Sequence, residues 1–233
     1  MSEWLSKTAG RFEAAFITGD RWKLYVSGFL LTFRVALIAA VLGVIIGTIL
    51  AFMKLHTRSD GKRSLLNIVA DFYIDVIRGT PSVLQLLIMW FVIMANSKNG
   101  VLVACLSFGI NSGAYVAEII RAGILSVDKG QMEAGRSLGL STAQTYRHII
   151  LPQAFKTALP PLGNEFIVLL KETAIVGYVS LSDLTRTANQ IASRTYDAFM
   201  PLIGAAFIYL LTVKLLTLLF AQIEKRMRRA DMR

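Results

Sequence analysis

The segment EAGRSLGLSTAQTYRHIILP, residues 133–152, decides how this chain is interpreted. It is polar and lies between two long apolar segments, so it is predicted to be a connecting loop of a membrane protein. Ser141 and the glutamine three residues later form a capping box, which predicts the start of a helix. Asp128 and Gln131 form the same pattern ahead of the segment, and Gly139 supplies the left-handed turn that ends this earlier helix. The loop is therefore predicted to be two short helices joined by a tight turn.

The apolar composition predicts a membrane domain. Hydrophobic residues make up 55% of the chain and charged residues only 17%, whereas soluble domains carry about 25% charged residues. A helix of about 20 apolar residues crosses the ~30 Å hydrocarbon core of a bilayer. Five segments are long and apolar enough, and they lie at about Leu24–Met53, Leu65–Ala95, Val101–Ile120, Ala158–Val179 and Met200–Ala221. The predicted fold is an all-α membrane protein with five transmembrane helices.

The spans divide the chain into regions. Residues 24–222 form the transmembrane domain, and residues 123–150 are its cytoplasmic loop. Residues 1–23 are an extracytoplasmic segment, and residues 223–233 are a basic tail. Basic residues are enriched after the first and third spans and in the tail, so the positive-inside rule places these regions in the cytoplasm. The N-terminus is therefore predicted outside and the C-terminus in the cytoplasm.

Composition and motifs also exclude several classes of function. The net charge of +10 comes from basic residues at the ends of spans, and no nucleic-acid-binding motif accompanies it, so nucleic acid is not an expected partner. The single cysteine, Cys105, excludes a disulfide within the chain and cannot form a metal site alone. No Gly-x4-Gly-Lys-Ser/Thr phosphate loop is present. We predict no enzyme activity, no metal site and no cofactor bound by this chain.

The second span is interrupted by charges and a proline. Pro81 follows Arg78, Gly79 and Thr80, and a kink or break is expected there because proline removes a helical donor. Asp75 and Arg78 are three residues apart and are placed to form an ion pair. The favoured interpretation is a salt-linked helix at the cytoplasmic rim, and direct contact with a substrate is the alternative.

Polar residues inside the third and fourth spans are the candidate path residues. Asn111, Tyr115 and Glu118 form one helical stripe, and such a stripe either lines a water-filled path or faces protein. Asn164 and Glu165 lie within the fourth span. Glu165 is the best single candidate for contact with a substrate, because a carboxylate there needs a partner or water. The alternative is a buried Glu165 that is bonded to a neighbouring helix.

Smaller patterns add structural expectations. Small residues recur every four positions in the first span, which allows another helix to approach closely. They are Ala39, Gly43, Gly47 and Ala51. A specific dimer face and ordinary membrane-helix composition explain this stripe equally well. Glu118 and Arg121 are placed to form an ion pair. Residues 180–197 predict an external amphipathic helix, which Ser182 can cap.

Several separated motifs resemble the permease subunits of ATP-binding-cassette (ABC) importers for polar amino acids. The loop is similar to the family signature EAA-x3-G-x9-I-x-LP. The matching residues are Glu133, Ala134, Gly135, Gly139, Ile149, Leu151 and Pro152, with Gly135 where alanine is usual. The other matching motifs are Arg78-Gly79-Thr80-Pro81-x3-Gln85, Tyr115-x2-Glu118-x2-Arg121-Ala122-Gly123, and Gly163-Asn164-Glu165-Phe166 with Leu170-Lys171-Glu172-Thr173. The resemblance covers roughly residues 24–222.

The resemblance implies a type I ABC importer permease in a bacterial inner membrane, of the histidine, glutamine or arginine type. Two permease subunits, identical or homologous, would pack around a central path within the membrane lipid. A dimer of ATPase subunits would bind the loop and supply ATP and Mg, and an extracytoplasmic binding protein would deliver the amino acid. The amino acid would contact Asn164 and Glu165, with Asn111 and Tyr115 as further candidates for the path, whereas the segment from Arg78 to Pro81 would be structural.

Two other classes of protein compete with this interpretation. A self-contained secondary amino-acid transporter or channel would also place acids inside the membrane, but no internal inverted repeat is detectable. A scaffold without transport activity would explain the spans alone. The spacing of the loop motif argues against both.

Overall fold

The computed structural model describes residues 1–56 and 63–230, apart from a few side chains near the two ends. These residues fold into α-helices with short π and 3-10 turns, and no strand is found among them. The helices are α1 (Ser2–Phe12), α2 (Arg21–Leu55), α3 (Leu65–Arg78), α4 (Ser82–Ile88), α5 (Gly100–Leu125), α6 (Lys129–Ser137), α7 (Thr142–Thr145), α8 (Leu151–Glu172), α9 (Leu184–Thr195) and α10 (Phe199–Ala230). Parts of the predicted basic loop and tail, including Arg58, Lys62 and Arg233, lie outside the described residues.

Three helical segments of the described chain are long and apolar enough to cross a membrane. They are Ser6–Leu55, Gly100–Leu125 and Phe199–Met227, which contain the first, third and fifth predicted spans. The second predicted span qualifies only as a broken pair of helices. α8 does not qualify, because polar and charged residues such as Glu165 and Lys171 interrupt its apolar character. The all-α fold is confirmed, whereas the number of five spans and the orientation stay predictions.

The second predicted span breaks where the proline predicts it. α3 ends at Arg78, and the chain turns by 103° before the helical segment that begins at Ser82. Carbonyl groups freed by the break are satisfied by one side chain. The Gln85 amide donates to the Ile77 carbonyl at 2.7 Å and to the Thr80 carbonyl at 3.1 Å. The bend is therefore a defined structure and not a loose joint.

The stripe of small residues on α2 packs against α5 of the same chain. All of its residues, Ala39, Gly43, Gly47 and Ala51, are buried. A Cβ atom added at Gly43 would lie 2.9 Å from the Ser112 side chain, and one added at Gly47 would lie 2.6 Å from Val116. The stripe therefore lets two helices of one subunit approach closely, and its interpretation as a dimer face is wrong.

Replacing Gly47 with leucine is expected to destabilise the chain. A leucine at this position must displace the Val116 side chain and the α5 backbone, and such overpacking costs about 1–3 kcal/mol. The measurement is the free energy of unfolding, or the melting temperature, in mild detergent. Gly10→Leu is the matched control, because a Cβ atom at Gly10 has no neighbour within 4 Å. Equal melting temperatures of the two variants would contradict the close packing of α2 and α5.

The predicted external amphipathic helix is α9, but its cap was predicted at the wrong residue. Asp183, and not Ser182, is the N-cap, and its carboxylate accepts from the backbone N–H groups of Thr185 and Arg186. Asp183 is the preferred cap because a carboxylate can accept from two backbone donors at the start of a helix. The apolar side of α9 includes Leu184, whose N–H donates to the Thr32 hydroxyl of α2 at 3.3 Å. α9 is thereby fixed to the N-terminal half of α2.

Candidate functional site

The polar loop folds into the two predicted helices. The capping box at Ser141 is confirmed: the Gln144 N–H donates to the Ser141 hydroxyl, and the Ser141 N–H donates to the Gln144 side chain at 2.8 Å. Asp128 caps α6 by accepting from the N–H of Gly130 at 2.6 Å. The Asp128 side chain accepts no bond from the Gln131 N–H, and the reciprocal bond from the Gln131 side chain is also absent, so the first predicted capping box is wrong and Asp128 acts as a simple N-cap.

A tight turn at Gly139 joins the two helices. Gly139 has a φ of +82°, which is the left-handed conformation that its position predicts. The Leu140 N–H donates to the Gly135 carbonyl at 3.1 Å, and the Gly139 N–H donates to the Arg136 carbonyl at 3.0 Å. These two bonds form a Schellman motif, which closes the end of α6. The relative direction of α6 and α7 is therefore set by one glycine.

Gly135 stands where the family signature usually has alanine, and the packing of Thr145 against it leaves no room for a side chain. It is buried, and a Cβ atom added there would lie 2.6 Å from the methyl group of Thr145 and 2.9 Å from its hydroxyl. Thr145 is itself fully buried. The missing methyl group at position 135 thus makes room for the threonine, and the departure from the signature is a packing adjustment between α6 and α7.

The other loop residues divide into an exposed set and a packed set. Glu133, Ala134 and Gly139 are exposed, as is Pro152. Ile149 and Leu151 are half-buried and pack against the cluster of Ile124, Ile150 and Ala154. Leu138 is 80% exposed next to the turn, and sequence analysis did not single it out. The signal that could have indicated an exposed Leu138 is its position as an apolar residue directly before the glycine that ends a polar helix.

The loop is joined to the fourth predicted span by continuous helix. α7, a π turn at Tyr146–Ile150 and α8 follow one another without a gap, so the chain is helical from Thr142 to Glu172. Pro152 lies in the first turn of α8, where a missing N–H is tolerated. Continuous helix therefore connects α7 to Glu165, and Pro160 and Pro161 lie within it.

Three of the four candidate path residues converge on one face of α5. The Ser112 hydroxyl donates to the Glu165 carboxylate at 2.9 Å, which links α5 to α8. One residue earlier, the Asn111 amide donates to the Gln85 side-chain oxygen at 2.9 Å, which links α5 to the broken span. One turn later, the Arg78 guanidinium lies over the Tyr115 ring. Polar side chains of three segments thus meet inside the apolar part of the chain.

Asn164 is not brought together with these residues. It is exposed and lines a groove of about 190 Å³ between α8 and α10, together with Thr217 and Phe220. Adjacent helical residues point about 100° apart, so Asn164 and Glu165 serve different faces of α8. The predicted Asp75–Arg78 ion pair is absent from the part of the chain that the structure describes. Arg78 contacts Tyr115 instead, with its Cζ atom 5.2 Å from the ring centroid.

An ion network ties α2, α3 and α5 together at their predicted cytoplasmic ends. The Lys54 ammonium lies 2.9 Å from the Asp71 carboxylate and 2.6 Å from the Glu118 carboxylate. Arg121 also contacts Glu118 at 2.8 Å, which confirms that predicted pair, and Arg63 lies 3.6 Å from Asp71. The second span is therefore salt-linked through Asp71 and not through the predicted Asp75–Arg78 pair, with Lys54 at the centre of the network. No sequence spacing links Lys54 to these acids.

Replacing Lys54 with methionine is expected to destabilise the chain by about 2 kcal/mol. This value lies between the ~0.2–1 kcal/mol of exposed ion pairs and the ~3–5 kcal/mol of fully buried ones, because these side chains are 19–28% exposed. The matched control is Lys23→Met, which breaks an ion pair with Asp20 whose side chains are about 60% exposed. Thermal unfolding in detergent compares the two. Equal shifts in melting temperature would contradict a stabilising role of the network.

Comparison with known proteins is consistent with this arrangement. Residues 43–229 match the family described as "Binding-protein-dependent transport system inner membrane component". The chain is 41% identical over 205 residues to the putative glutamine transport system permease protein GlnP of Rickettsia bellii (strain RML369-C), covering 87% of this chain and 92% of the relative. It is 39% identical over 209 residues to the arginine transport system permease protein ArtQ of Bacillus subtilis (strain 168), covering 88% and 93%.

Solved structures share the fold. A chain of the structure titled "Crystal structure of an amino acid ABC transporter with histidines" matches with a TM-score of 0.80 and 43% sequence identity, covering 88% of this chain and 94% of the other. An inward-facing structure of the MetNI methionine ABC transporter matches with a TM-score of 0.76, covering 88% and 96%. The identity there is 18%, so this second match concerns the fold alone.

Proposed function

This chain belongs to the family of inner membrane components of binding-protein-dependent transport systems, and we propose that it forms the translocation path of an ATP-driven amino-acid importer. It is a permease subunit and not the catalytic subunit of such a system. The amino-acid class is taken from relatives whose names specify glutamine, arginine and cystine transport. The bacterial inner membrane is the expected location.

One observation carries this proposal: a single helical segment joins the polar loop to an intramembrane carboxylate. From Thr142 to Glu165 the chain is helical throughout, which spans about 35 Å at ~1.5 Å per residue. Near the far end, Ser112 holds the Glu165 carboxylate at 2.9 Å. We expect a movement imposed on the loop to be carried along this helix toward the path, with Pro160 and Pro161 as the positions where the helix can bend. Alternating access that is driven by a separate ATPase subunit requires such a mechanical connection.

The loop presents the surface on which a separate ATPase subunit would bind. Glu133 and Ala134 are exposed on α6, and Leu138 is exposed directly after it, where the Schellman motif at Gly139 fixes its direction. Beside them, a cavity of about 340 Å³ opens between α6 and the ends of α2 and α5, with Met132 among its lining residues. The exposed Leu138 side chain and this open cavity on the same loop suit a rigid docking contact with a partner. ATP and Mg would be bound by that partner, as a dimer beneath a pair of permease subunits.

Glu165 is proposed to contact the positive end of the transported amino acid. The Ser112 hydroxyl satisfies one carboxylate oxygen, and no cation within the described ranges pairs with Glu165. An intramembrane carboxylate of this kind pairs with a mobile cation at little additional desolvation cost. Asn111 and Tyr115 lie within one turn of Ser112 on α5, whereas Asn164 points about 100° away from Glu165 around α8, toward α10. An extracytoplasmic binding protein would deliver the amino acid to this path.

The test is purification of the tagged chain from its native membranes in mild detergent, followed by reconstitution into liposomes. We expect a nucleotide-binding subunit to co-purify at equal stoichiometry, and amino-acid uptake to require ATP and the binding protein. The same preparation shows whether a second, different permease is present. Recovery of the chain alone, with amino-acid transport that needs no ATP, would contradict the importer and favour a secondary transporter.

A further inference from the structure

The N-terminal segment before α2 is a separate helical element that the proposed function does not use. It consists of α1 and a short π-helical turn at Glu13–Ile17. Gly19 and Asp20 follow with φ values of +62° and +56°, so two consecutive left-handed residues separate this segment from α2. The ring centroids of Phe16 and Tyr25 lie 5.0 Å apart, whereas a continuous helix would separate these residues by about 13.5 Å along its axis. The segment therefore turns aside from the α2 axis.

Two contacts fix this segment to the end of the bundle where α2 and α10 begin. The Phe16 ring fills the space that a side chain at Gly204, in the first two turns of α10, would need. Ala15, one residue earlier, is buried. The Arg11 Nε atom lies 4.0 Å from the carboxylate of Asp197, in the connection between α9 and α10. The segment is thus held at the level of the first turns of two membrane-spanning helices.

One side of α1 is aromatic and exposed. Trp4, Thr8 and Phe12 are spaced four residues apart and form one stripe along the helix. The Trp4 side chain is 69% exposed and that of Phe12 is 51% exposed. Lys7 and Arg11 are also exposed, and they follow the stripe along one flank. Large aromatic residues on one side and basic residues beside them are typical of a helix that lies at the boundary between lipid headgroups and acyl chains.

The exposed apolar surface of α1 continues onto the membrane-spanning helices. Ile17 and Trp22 extend it toward α2, and both are exposed. On α10, Ile203 and Phe207 are exposed on either side of Gly204, where the N-terminal segment packs. Acyl chains cover the exposed apolar surface of helices that cross a membrane, and tryptophan is enriched at the edge of the hydrocarbon core. Lipid therefore fits the α1 stripe better than a soluble protein does, because the apolar surface does not end at the helix.

We propose that α1 lies in the interface of the lipid bilayer, with Trp4 and Phe12 among the upper parts of the acyl chains and Lys7 among the headgroups. This inference goes beyond the proposed function, which assigns no role to residues 1–23. A lysine at such a position covers apolar surface with its stem and extends its ammonium group to the phosphates. Through the contact between Arg11 and Asp197, the interfacial helix would hold the connection between α9 and α10 at a fixed depth.

The experiment locates Trp4 by its fluorescence in the whole chain, reconstituted into vesicles of phosphatidylcholine and phosphatidylglycerol. The chain has three tryptophans, so Trp22→Phe and Trp90→Phe leave Trp4 as the single reporter. Lipids that are brominated near the headgroup or near the end of the acyl chain quench from within the membrane, and acrylamide quenches from the water. We expect the shallow bromine atoms to quench Trp4 at least about twofold more strongly than the deep ones, because an interfacial helix is buried by only ~5–10 Å.

Moving the reporter to the other side of α1 provides the matched control. In the same background, Gly10→Trp is combined with Trp4→Phe, which shifts the tryptophan by about 120° around the helix. A Cβ atom at Gly10 has no neighbour within 4 Å, so the new side chain has room. We expect acrylamide to quench the tryptophan at position 10 several-fold more strongly than Trp4.

Three other outcomes would each overturn the inference. Equal and strong quenching of both positions by acrylamide would show that α1 lies in water. Strongest quenching of Trp4 by the deep bromine atoms would place it in the hydrocarbon core. A Trp4 that neither bromine atoms nor acrylamide reach would show that protein, such as a second copy of this chain, covers the stripe. None of these outcomes bears on ATP-driven uptake, so the proposed function is tested separately.

Discussion

Replacing Gly139 with valine is expected to reduce ATP-driven uptake at least about tenfold while the protein stays in the membrane. Gly139 has a φ of +82°, where a residue with a Cβ atom loses about 1–2 kcal/mol and a β-branched residue loses more. A Cβ atom there meets nothing within 4 Å, so the effect is one of backbone conformation and not of collision. To escape the strain, the chain would give up the bond from the Leu140 N–H to the Gly135 carbonyl and would redirect Leu138. The surface proposed to bind the ATPase would then be lost.

The measurement for Gly139→Val is the amount of ATPase subunit that co-purifies, together with uptake at equal permease abundance. Gly139→Asn is the matched control, because asparagine tolerates the left-handed conformation better than other residues with a side chain, and it should retain most of the coupling. Both variants add a side chain at the same open position, apolar in the valine variant and polar in the asparagine variant. Full ATPase recovery and full uptake in the valine variant would show that the turn has no part in coupling.

Local features of this chain could be predicted from its sequence because they depend on a few consecutive residues. The capping box at Ser141, the left-handed turn at Gly139 and the break before Pro81 are all present where the sequence places them. Errors in local structure were small and had local causes. At the start of α9 two adjacent side chains, Ser182 and Asp183, compete for the same backbone donors, and the sequence alone does not decide between them.

Contacts between charged side chains could be predicted only where both partners lie on one helix. Glu118 and Arg121 satisfy that condition and form their predicted pair. Asp75 and Arg78 also satisfy it, yet the pair is absent because the ring of Tyr115 on another helix contacts the guanidinium. Spacing shows which pairs a single helix allows, but it does not show what competes with them. For the same reason the central position of Lys54 in the ion network emerges only from the packing of three helices.

The candidate site was therefore predicted as separate pieces. The sequence singled out Glu165, Asn111 and Tyr115 individually, since polar groups within apolar spans are costly. It offered a substrate contact and a bond to a neighbouring helix as alternatives for Glu165. The structure shows the Ser112 hydroxyl donating to this carboxylate, so the bond to the neighbouring helix is present. The bond uses one hydroxyl, and no lysine or arginine among residues 1–56 and 63–230 forms an ion pair with this carboxylate, so a contact with substrate remains compatible with it.

Replacing Glu165 with glutamine is expected to lower substrate affinity and uptake by about 10- to 100-fold. Glutamine keeps the shape of the side chain, and its carbonyl oxygen can still accept the hydrogen bond from Ser112, so the link between α5 and α8 survives. Only the negative charge is removed, and a hydrogen bond between charged groups contributes about 1.5–3 kcal/mol. The measurements are uptake in reconstituted liposomes and amino-acid binding to the detergent-solubilised complex.

Ser112→Ala is the complementary variant to Glu165→Gln. Comparing the two variants separates the effect of the negative charge from the effect of the hydrogen bond between α5 and α8. The alanine variant loses the hydrogen bond at 2.9 Å but keeps the carboxylate, so its effect on affinity should be smaller. If only the packing of α5 against α8 mattered, Ser112→Ala would have the larger effect on affinity, and Glu165→Gln would transport normally.

Comparing two substrates shows which positive group contacts the Glu165 carboxylate. Equal losses for L-arginine and L-glutamine would indicate the α-ammonium that both share, whereas a loss confined to L-arginine would indicate its cationic side chain.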